Sequence, residues 1–170
     1  MKELRSASVF KNYYKERNIF KAIKRFFRKL KWAYQRATKG YCEFDVWDMS
    51  MWFIDVVPNM LEDLANNGHG YPGNSQFDTF EKWSTYLKDL ADKFRQADED
   101  YCEERNLYED EFNKRVDEAL KQDALRVNVF CDDDFSHNYF KEEVRIQDVR
   151  NGYLDEAFEN FRKVFWELWD

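Results

Sequence analysis

Residues 40–73 read GYCEFDVWDMSMWFIDVVPNMLEDLANNGHGYPG, the densest run of aromatic, acidic and turn-forming residues in the chain. Its middle predicts a helix over about residues 48–66, where apolar side chains form so wide a band that the helix must be contacted on more than one side. Asp48 or Ser50 can cap the start of this helix. Pro58 in its interior removes one backbone hydrogen bond and is expected to kink the axis. Such a helix is expected at the centre of a helical bundle.

The composition of the chain supports an all-helical fold. Aromatic residues make up 19% of its 170 residues, so the chain is expected to fold although 36% of its residues are charged. Only 5 Gly and 2 Pro are present, which favours a few long helices over many short strands. We therefore predict an all-α bundle of about five to six helices in a single domain over residues 1–170.

Charge is distributed unevenly along the chain, whose net charge is −7. Residues 1–40 contain 13 Lys or Arg against 2 acidic residues, and the remaining 130 residues contain 14 Lys or Arg against 32 acidic residues. This asymmetry raises nucleic acid, a membrane or an acidic protein as partners of the basic segment. The alternative is that the basic segment docks on the acidic remainder of its own chain.

The basic segment predicts one long helix over about residues 9–38, closed by Gly40 as a left-handed cap. Apolar residues spaced three and four apart predict a face that packs against the rest of the protein: Phe20, Ile23, Phe27, Leu30, Tyr34 and Ala37. Its basic residues include Lys21, Lys24, Arg25, Arg28, Lys29, Lys31 and Arg36. A basic amphipathic helix can also bind phosphate backbones, lie on a membrane or resemble a calmodulin target.

The second half of the chain predicts further helices. Asp78 or Thr79 begins one of them, with Glu81 completing a capping box with Asp78. An acidic helix follows over about residues 98–127, with a break near Asn106, and two more span about 135–149 and 153–169. The predicted organisation is a basic helix (1–39), a core (40–97), an acidic helical extension (98–150) and a closing helix (151–170).

Enzyme motifs are absent from the sequence, which lacks a P-loop, a GxGxxG after a strand, HExxH and GxSxG. Two histidines and three separated cysteines provide no local pair of zinc ligands. Carboxylates could bind a hard cation at residues 132–134 or along residues 45–62. The alternatives are a solvated acidic turn or a stabilised helix N-terminus at 132–134, and a solvated stripe or a partner for the basic helix along 45–62. We predict no cofactor and no metal, and a binding protein rather than an enzyme.

His69 is the best single candidate for a functional residue, because glycines flank it and an imidazole titrates near neutral pH. The alternative is a structural side chain that fixes its loop through a hydrogen bond to a backbone carbonyl or to the aspartates near Asp45.

Several motifs together resemble a widespread family of small proteins of tailed phages that infect Gram-positive bacteria. These motifs are GYxxxDxW at residues 40–47, Trp52-Phe53, Pro58-x-Met60-Leu61, HGYP at 69–72, Trp83 and the terminal Leu168-Trp169-Asp170. The resemblance covers about residues 30–97 and the last few residues. It implies a phage origin and a location in the host cytoplasm, and it brings no established activity.

Three functions remain open. The first is a phage accessory protein that binds a host or phage protein, for example in counter-defence or host takeover, through Asp45, Trp47, Asp48, His69, Gly70, Tyr71 and Pro72. The second is a nucleic-acid-binding accessory protein that uses the basic helix 11–39 through Lys21, Lys24, Arg25, Arg28 and Lys29. The third is a metal-dependent nucleotide or phosphodiester hydrolase with Asp45, Asp48 and His69 at its site.

The cellular location of the protein is predicted from its N-terminus, its apolar runs and its cysteines. The N-terminus lacks the apolar core of a signal peptide, and no apolar run is long enough to span a bilayer, so we expect a cytoplasmic protein without a membrane partner. Cys42, Cys102 and Cys131 are then reduced thiols. A homo-oligomer is compatible with all three functions.

Overall fold

A computed structural model describes residues 19–121 and 133–169. Within these ranges every regular element is helical, which confirms the predicted all-α fold. The elements are α1 (Ile19–Lys39), α2 (Glu43–Trp47), α3 (Met49–Asn67), α4 (Phe80–Gln96), α5 (Glu109–Lys121), α6 (Asp134–Val164) and a short 3₁₀ turn (Phe165–Glu167). The basic N-terminal helix is described from Ile19 onward, and its predicted residues 9–18 lie outside the described ranges.

The described chain divides into two compact units. The first contains the residues up to Ala91 together with Trp169, and the second runs from Asp92 to Leu168. The division falls within α4, a few residues before the predicted end of the core at residue 97. The prediction of one domain over the whole chain stays a prediction.

The core of the first unit forms between α3 and α4. Trp83 is fully buried, with its ring centroid 4.8 Å from that of Phe77. The Ser84 hydroxyl donates a 2.7 Å hydrogen bond to the Ala65 carbonyl, which ties the two helices together. Leu61, Leu87 and Leu90 complete the apolar interior.

The ends of α3 and α4 follow the predicted capping only in part. Asp48 caps α3 by accepting the Met51 N–H at 3.4 Å, and Pro58 lies buried within the helix as predicted. At α4 the cap is Thr79, whose hydroxyl accepts the Lys82 N–H at 3.3 Å. The predicted capping box of Asp78 and Glu81 is wrong, because the Asp78 carboxylate pairs with the Lys82 ammonium at 2.8 Å instead.

In the second unit, residues 97–108 form turns rather than the first part of the predicted helix 98–127. The Asp98 carbonyl accepts the Cys102 N–H at 2.8 Å, and the Asp98 carboxylate accepts the Asp100 N–H at 3.0 Å. Such local bonds compete with helical ones. No helix forms over residues 98–105 before the predicted break near Asn106, and this buried side chain instead accepts the Tyr108 N–H at 2.9 Å just before the start of α5.

The last two predicted helices are one helix, α6, which is 31 residues long. The prediction of a break at residues 150–152, and hence of a separate closing helix, was wrong. One glycine inside a helix costs only about 1 kcal/mol, and burial of Ile146 and Ala157 on either side of Gly152 offsets that cost. The core of this unit also places Phe94 against Phe158 and Phe161, at centroid distances of 5.4 and 5.8 Å.

The start of α6 confirms the prediction that acidic residues near 132–134 stabilise a helix N-terminus. Asp133 is the N-cap and accepts the Ser136 N–H at 2.8 Å. Hydrogen bonds from the Arg115 guanidinium and from the Ser136 N–H lower the pKa of Asp133 to about 2. The neighbouring Asp132 lies outside the described residues.

Candidate functional site

The short helix α2 is held on α1 by an ion pair that is buried on its acidic side. Asp45 is 3% exposed, and its carboxylate accepts two hydrogen bonds from the Arg36 guanidinium, the one from Nε being 2.9 Å long. The same carboxylate accepts the Cys42 backbone N–H at 2.8 Å, which caps α2. Asp45 was predicted to bind a partner, but in the structure its side chain is buried and holds α2 on α1.

The electrostatics of this pair favour its charged form. Burial raises the pKa of Asp45, but the hydrogen bonds from Arg36 and from the Cys42 N–H outweigh burial and leave this pKa below its usual value. The hydrogen bond to Asp45 raises the pKa of Arg36. Both groups are therefore charged at neutral pH.

A second clamp fixes the start of α2. Glu43 accepts hydrogen bonds from Lys31 Nζ at 2.7 Å and from the Trp32 indole Nε1 at 3.0 Å. The Gln35 side chain accepts the Glu43 N–H at 3.2 Å. All these contacts use the polar side of α1, so α2 is attached to the face of that helix that carries its charges.

An aromatic row crosses from α1 to α2. The Arg28 guanidinium lies 5.1 Å from the Trp32 ring centroid. The Trp32 and Phe44 rings are 5.2 Å apart, and Phe44 stacks on Trp47 at 6.0 Å. Trp47, at the end of this row, remains 79% exposed.

Two residues of this row and three of their neighbours along the chain are exposed and apolar. Together they form what we call the α2 surface: Tyr41, Phe44, Val46, Trp47 and Met49. A cavity of about 330 Å³ opens beside it, lined by Gln35, Lys39, Tyr41, Cys42, Glu43 and Val46. Ligand pockets span about 300–1,000 Å³, so this cavity has room for one large side chain or a small molecule. The α2 surface thus combines a fixed exposed aromatic residue with an adjoining recess.

The residues predicted to bind a partner fall into two groups at opposite ends of α3. Trp47 and Asp48 precede this helix, and residues 69–72 follow it. At a rise of 1.5 Å per residue α3 is about 28 Å long, so the two groups cannot share one compact site. His69 and Tyr71 are exposed, whereas Gly70 and Pro72 are half-buried.

The predicted nucleic-acid-binding residues all belong to α1. Lys21, Lys24 and Arg28 are exposed, and Arg25 and Lys29 are half-buried. Together with Lys31, Arg36 and Lys39 they give α1 eight basic residues and no acidic residue. Two of these cations are paired with α2, Lys31 with Glu43 and Arg36 with Asp45.

The apolar face of α1 is the main departure from the sequence prediction. It was predicted to pack against the rest of the protein, yet Phe20, Ile23, Phe27, Leu30, Tyr34 and Ala37 are all exposed. The helix instead meets α2 on its opposite side, through the pairs of Lys31 with Glu43 and of Arg36 with Asp45 and through the Trp32 ring.

The carboxylates considered as metal ligands do not come together. In residues 19–121 and 133–169, no group of three or more His, Cys, Asp or Glu side chains is placed to hold a metal ion. Asp55 is buried, contrary to the predicted solvated stripe of Asp45, Asp48, Asp55 and Glu62. Because Asp45 is also committed to Arg36, the predicted hydrolase site at Asp45, Asp48 and His69 is not formed.

Most of the α2 surface was missed from the sequence, which singled out only Trp47 among its five residues. A five-residue helix is too short to show helical periodicity, so its exposed side cannot be recognised from spacing. Two weak signals were available, namely Gly40 with its φ of 82° and the capping residue Asp48. Gly40 and Asp48 lie on either side of a run of aromatic residues that is too short for all its side chains to be buried.

Cys42 and Cys102 are buried free thiols, and Cys131 lies outside the described residues. No described helix has both the length and the apolar character needed to cross a bilayer. Comparison of the chain with protein-family models, with curated proteins and with solved structures gave no significant match.

Proposed function

We propose that the chain is a phage-encoded accessory protein that binds a host or phage protein through the α2 surface and modulates it, with no catalysis of its own. The observation that carries this proposal is the 79% exposure of Trp47 on a helix that a buried ion pair holds in place. Tryptophan is enriched among the residues that contribute most to protein–protein binding. A helix that is already held in place loses less conformational freedom when a partner covers it.

The cavity beside the α2 surface suits the same function. Binding hot spots of one protein commonly fill recesses of the other. A partner that covers Trp47 would place a side chain of its own between Tyr41 and Val46. The phage origin and any role in counter-defence or host takeover rest on the sequence resemblance, with the host cytoplasm as the site of action.

Replacing Trp47 by alanine should weaken binding to this partner at least about 30-fold, the equivalent of a hot spot of about 2 kcal/mol. The partner is first captured with tagged protein from nuclease-treated lysates of phage-infected cells, and its affinity is then measured by calorimetry. Trp166→Ala is the matched control, because Trp166 is 87% exposed but lies in the second unit. Equal affinities for the two variants would contradict the proposed surface.

A second candidate function is nucleic-acid binding by α1, favoured by its eight basic residues without an acidic one. Reversing the charge of Arg25, Arg28 and Lys29 should then reduce binding to duplex DNA. It should also flatten the dependence of binding on salt, because a complex with fewer phosphate contacts releases fewer counterions. Fluorescence anisotropy over a salt series measures both effects. Charge reversal of Lys82, Lys88 and Lys93 on α4 provides the control. Unchanged binding by the α1 variant would exclude this function.

A further inference from the structure

The α1 helix has two sharply separated faces. With 3.6 residues per turn, its apolar residues other than Trp32 fall within an arc of about 160°, and all its Lys and Arg residues fall outside that arc. We name five residues within the arc the α1 apolar face: Ile23, Phe26, Phe27, Leu30 and Tyr34. Each of them is between 41% and 71% exposed.

The attachment of α2 explains why this face is open. The hydrogen bonds between the two helices use α1 residues that lie outside the apolar arc, namely Lys31, Trp32, Gln35 and Arg36. Within the part of the chain that the structure describes, the α1 apolar face therefore lies on the outside of the first unit. Contiguous exposed apolar surface of this kind marks a protein or membrane interaction site.

The width of the α1 apolar face and the cations beside it indicate what kind of partner covers this face. The arc is wider than the narrow stripe through which two helices form a coiled coil. A second copy packed on this face would also bring the lysines that border its own arc close to those of the first. An anionic lipid surface satisfies both features, because it is broad and apolar inside and carries phosphates at its boundary. Helices that lie in a bilayer interface have bulky apolar residues on one side and Lys and Arg on the other.

We propose that α1 lies in the interface of an anionic bilayer, with the α1 apolar face toward the acyl chains. Lys24 and Lys29 lie near the two borders of the arc, where their aliphatic stems can follow the apolar surface while their ammonium groups reach lipid phosphates. Because α2 is attached to the polar side, the α2 surface then faces away from the bilayer and stays accessible to a protein.

The proposal predicts that the full chain binds vesicles that contain phosphatidylglycerol, and binds pure phosphatidylcholine vesicles much more weakly. The double substitution Phe27→Asp with Leu30→Asp should lower the partition coefficient on the anionic vesicles by more than tenfold, since it removes two large apolar side chains from the buried face. The single variant Ile23→Ser should give a smaller loss. Met60→Asp is the control, because Met60 is 64% exposed and belongs to α3 rather than to α1.

Vesicle flotation of nuclease-treated protein measures these coefficients, and circular dichroism establishes that each variant is folded. Equal binding by the double variant and the Met60→Asp control, or no binding of the unmodified chain to anionic vesicles, would overturn the proposal. So would a lipid-free dimer, measured by light scattering, that the double substitution dissociates, because a second copy would then cover the face. None of these results depends on the α2 surface, so the proposed protein binding is tested separately by Trp47→Ala.

Discussion

Replacing Asp45 by asparagine should lower the free energy of unfolding by about 3 kcal/mol. The substitution leaves the Arg36 guanidinium facing a neutral amide, and breaking a buried ion pair by changing one partner costs about 3–5 kcal/mol. The lower figure applies because the Arg36 side chain is 21% exposed. Urea unfolding followed by circular dichroism measures the change. Glu43→Gln is the matched control on the same helix, and its exposed pair with Lys31 should contribute much less to stability.

The effect of this substitution should depend on pH. The pKa of Asp45 is lower in the folded protein than its ordinary value of 3.8, so the pair stabilises the fold above about pH 4. The stabilisation is lost as the pH falls through the folded-state pKa, and the difference between the original chain and the Asp45→Asn variant should shrink there. A loss no larger than that of Glu43→Gln at neutral pH would show that the pair does not anchor α2.

Much of the helical fold was predictable from the sequence because long periodic segments report on it directly. The bounds of α3 follow from its capping residue Asp48 and from the loop that begins at Gly68. The errors lie where local signals competed with packing. Gly152 predicted a helix end, but the long-range contacts of Phe94 with α6 hold the helix together on the far side of that glycine.

The candidate site was predictable only in part, because sequence spacing shows which residues share a face and not what covers it. The spacing correctly placed the residues of the α1 apolar face on one side of the helix. Whether that side would be buried depended on which cations of α1 pair with Asp45 and Glu43. These long-range pairs turned the polar side of α1 toward α2. The same pairs brought Asp45 into the interior, and so they removed it from the predicted binding residues and from the hydrolase site.

The two faces of α1 also relate the proposals to one another. The polar face supports α2 and thereby positions Trp47, whereas the apolar face is open on the opposite side. The two proposals therefore place a bilayer and a protein partner on opposite sides of α1 and do not exclude one another. Phosphate-rich nucleic acid would instead compete with α2 for the surroundings of Lys31 and Arg36.

Replacing Trp83 by alanine should have the largest effect on stability, a loss of about 3–5 kcal/mol, because it leaves a cavity where a fully buried ring packs against Phe77. Trp83→Phe should cost much less. It keeps most of the ring volume, and it removes the buried indole Nε1, which has no hydrogen-bond partner in the described part of the chain.

Trp47→Ala is the matched control for the Trp83 variants, since the 79% exposure of Trp47 predicts a change in stability within about 0.5 kcal/mol. Urea unfolding and partner affinity, measured on all three variants, separate the roles of the two tryptophans. We expect Trp47→Ala to lose affinity with stability kept, and Trp83→Phe to keep affinity because it leaves the α2 surface intact. A Trp47 variant as unstable as Trp83→Ala would mean that the exposed tryptophan maintains the fold, and the affinity it loses could then no longer be assigned to a contact with the partner.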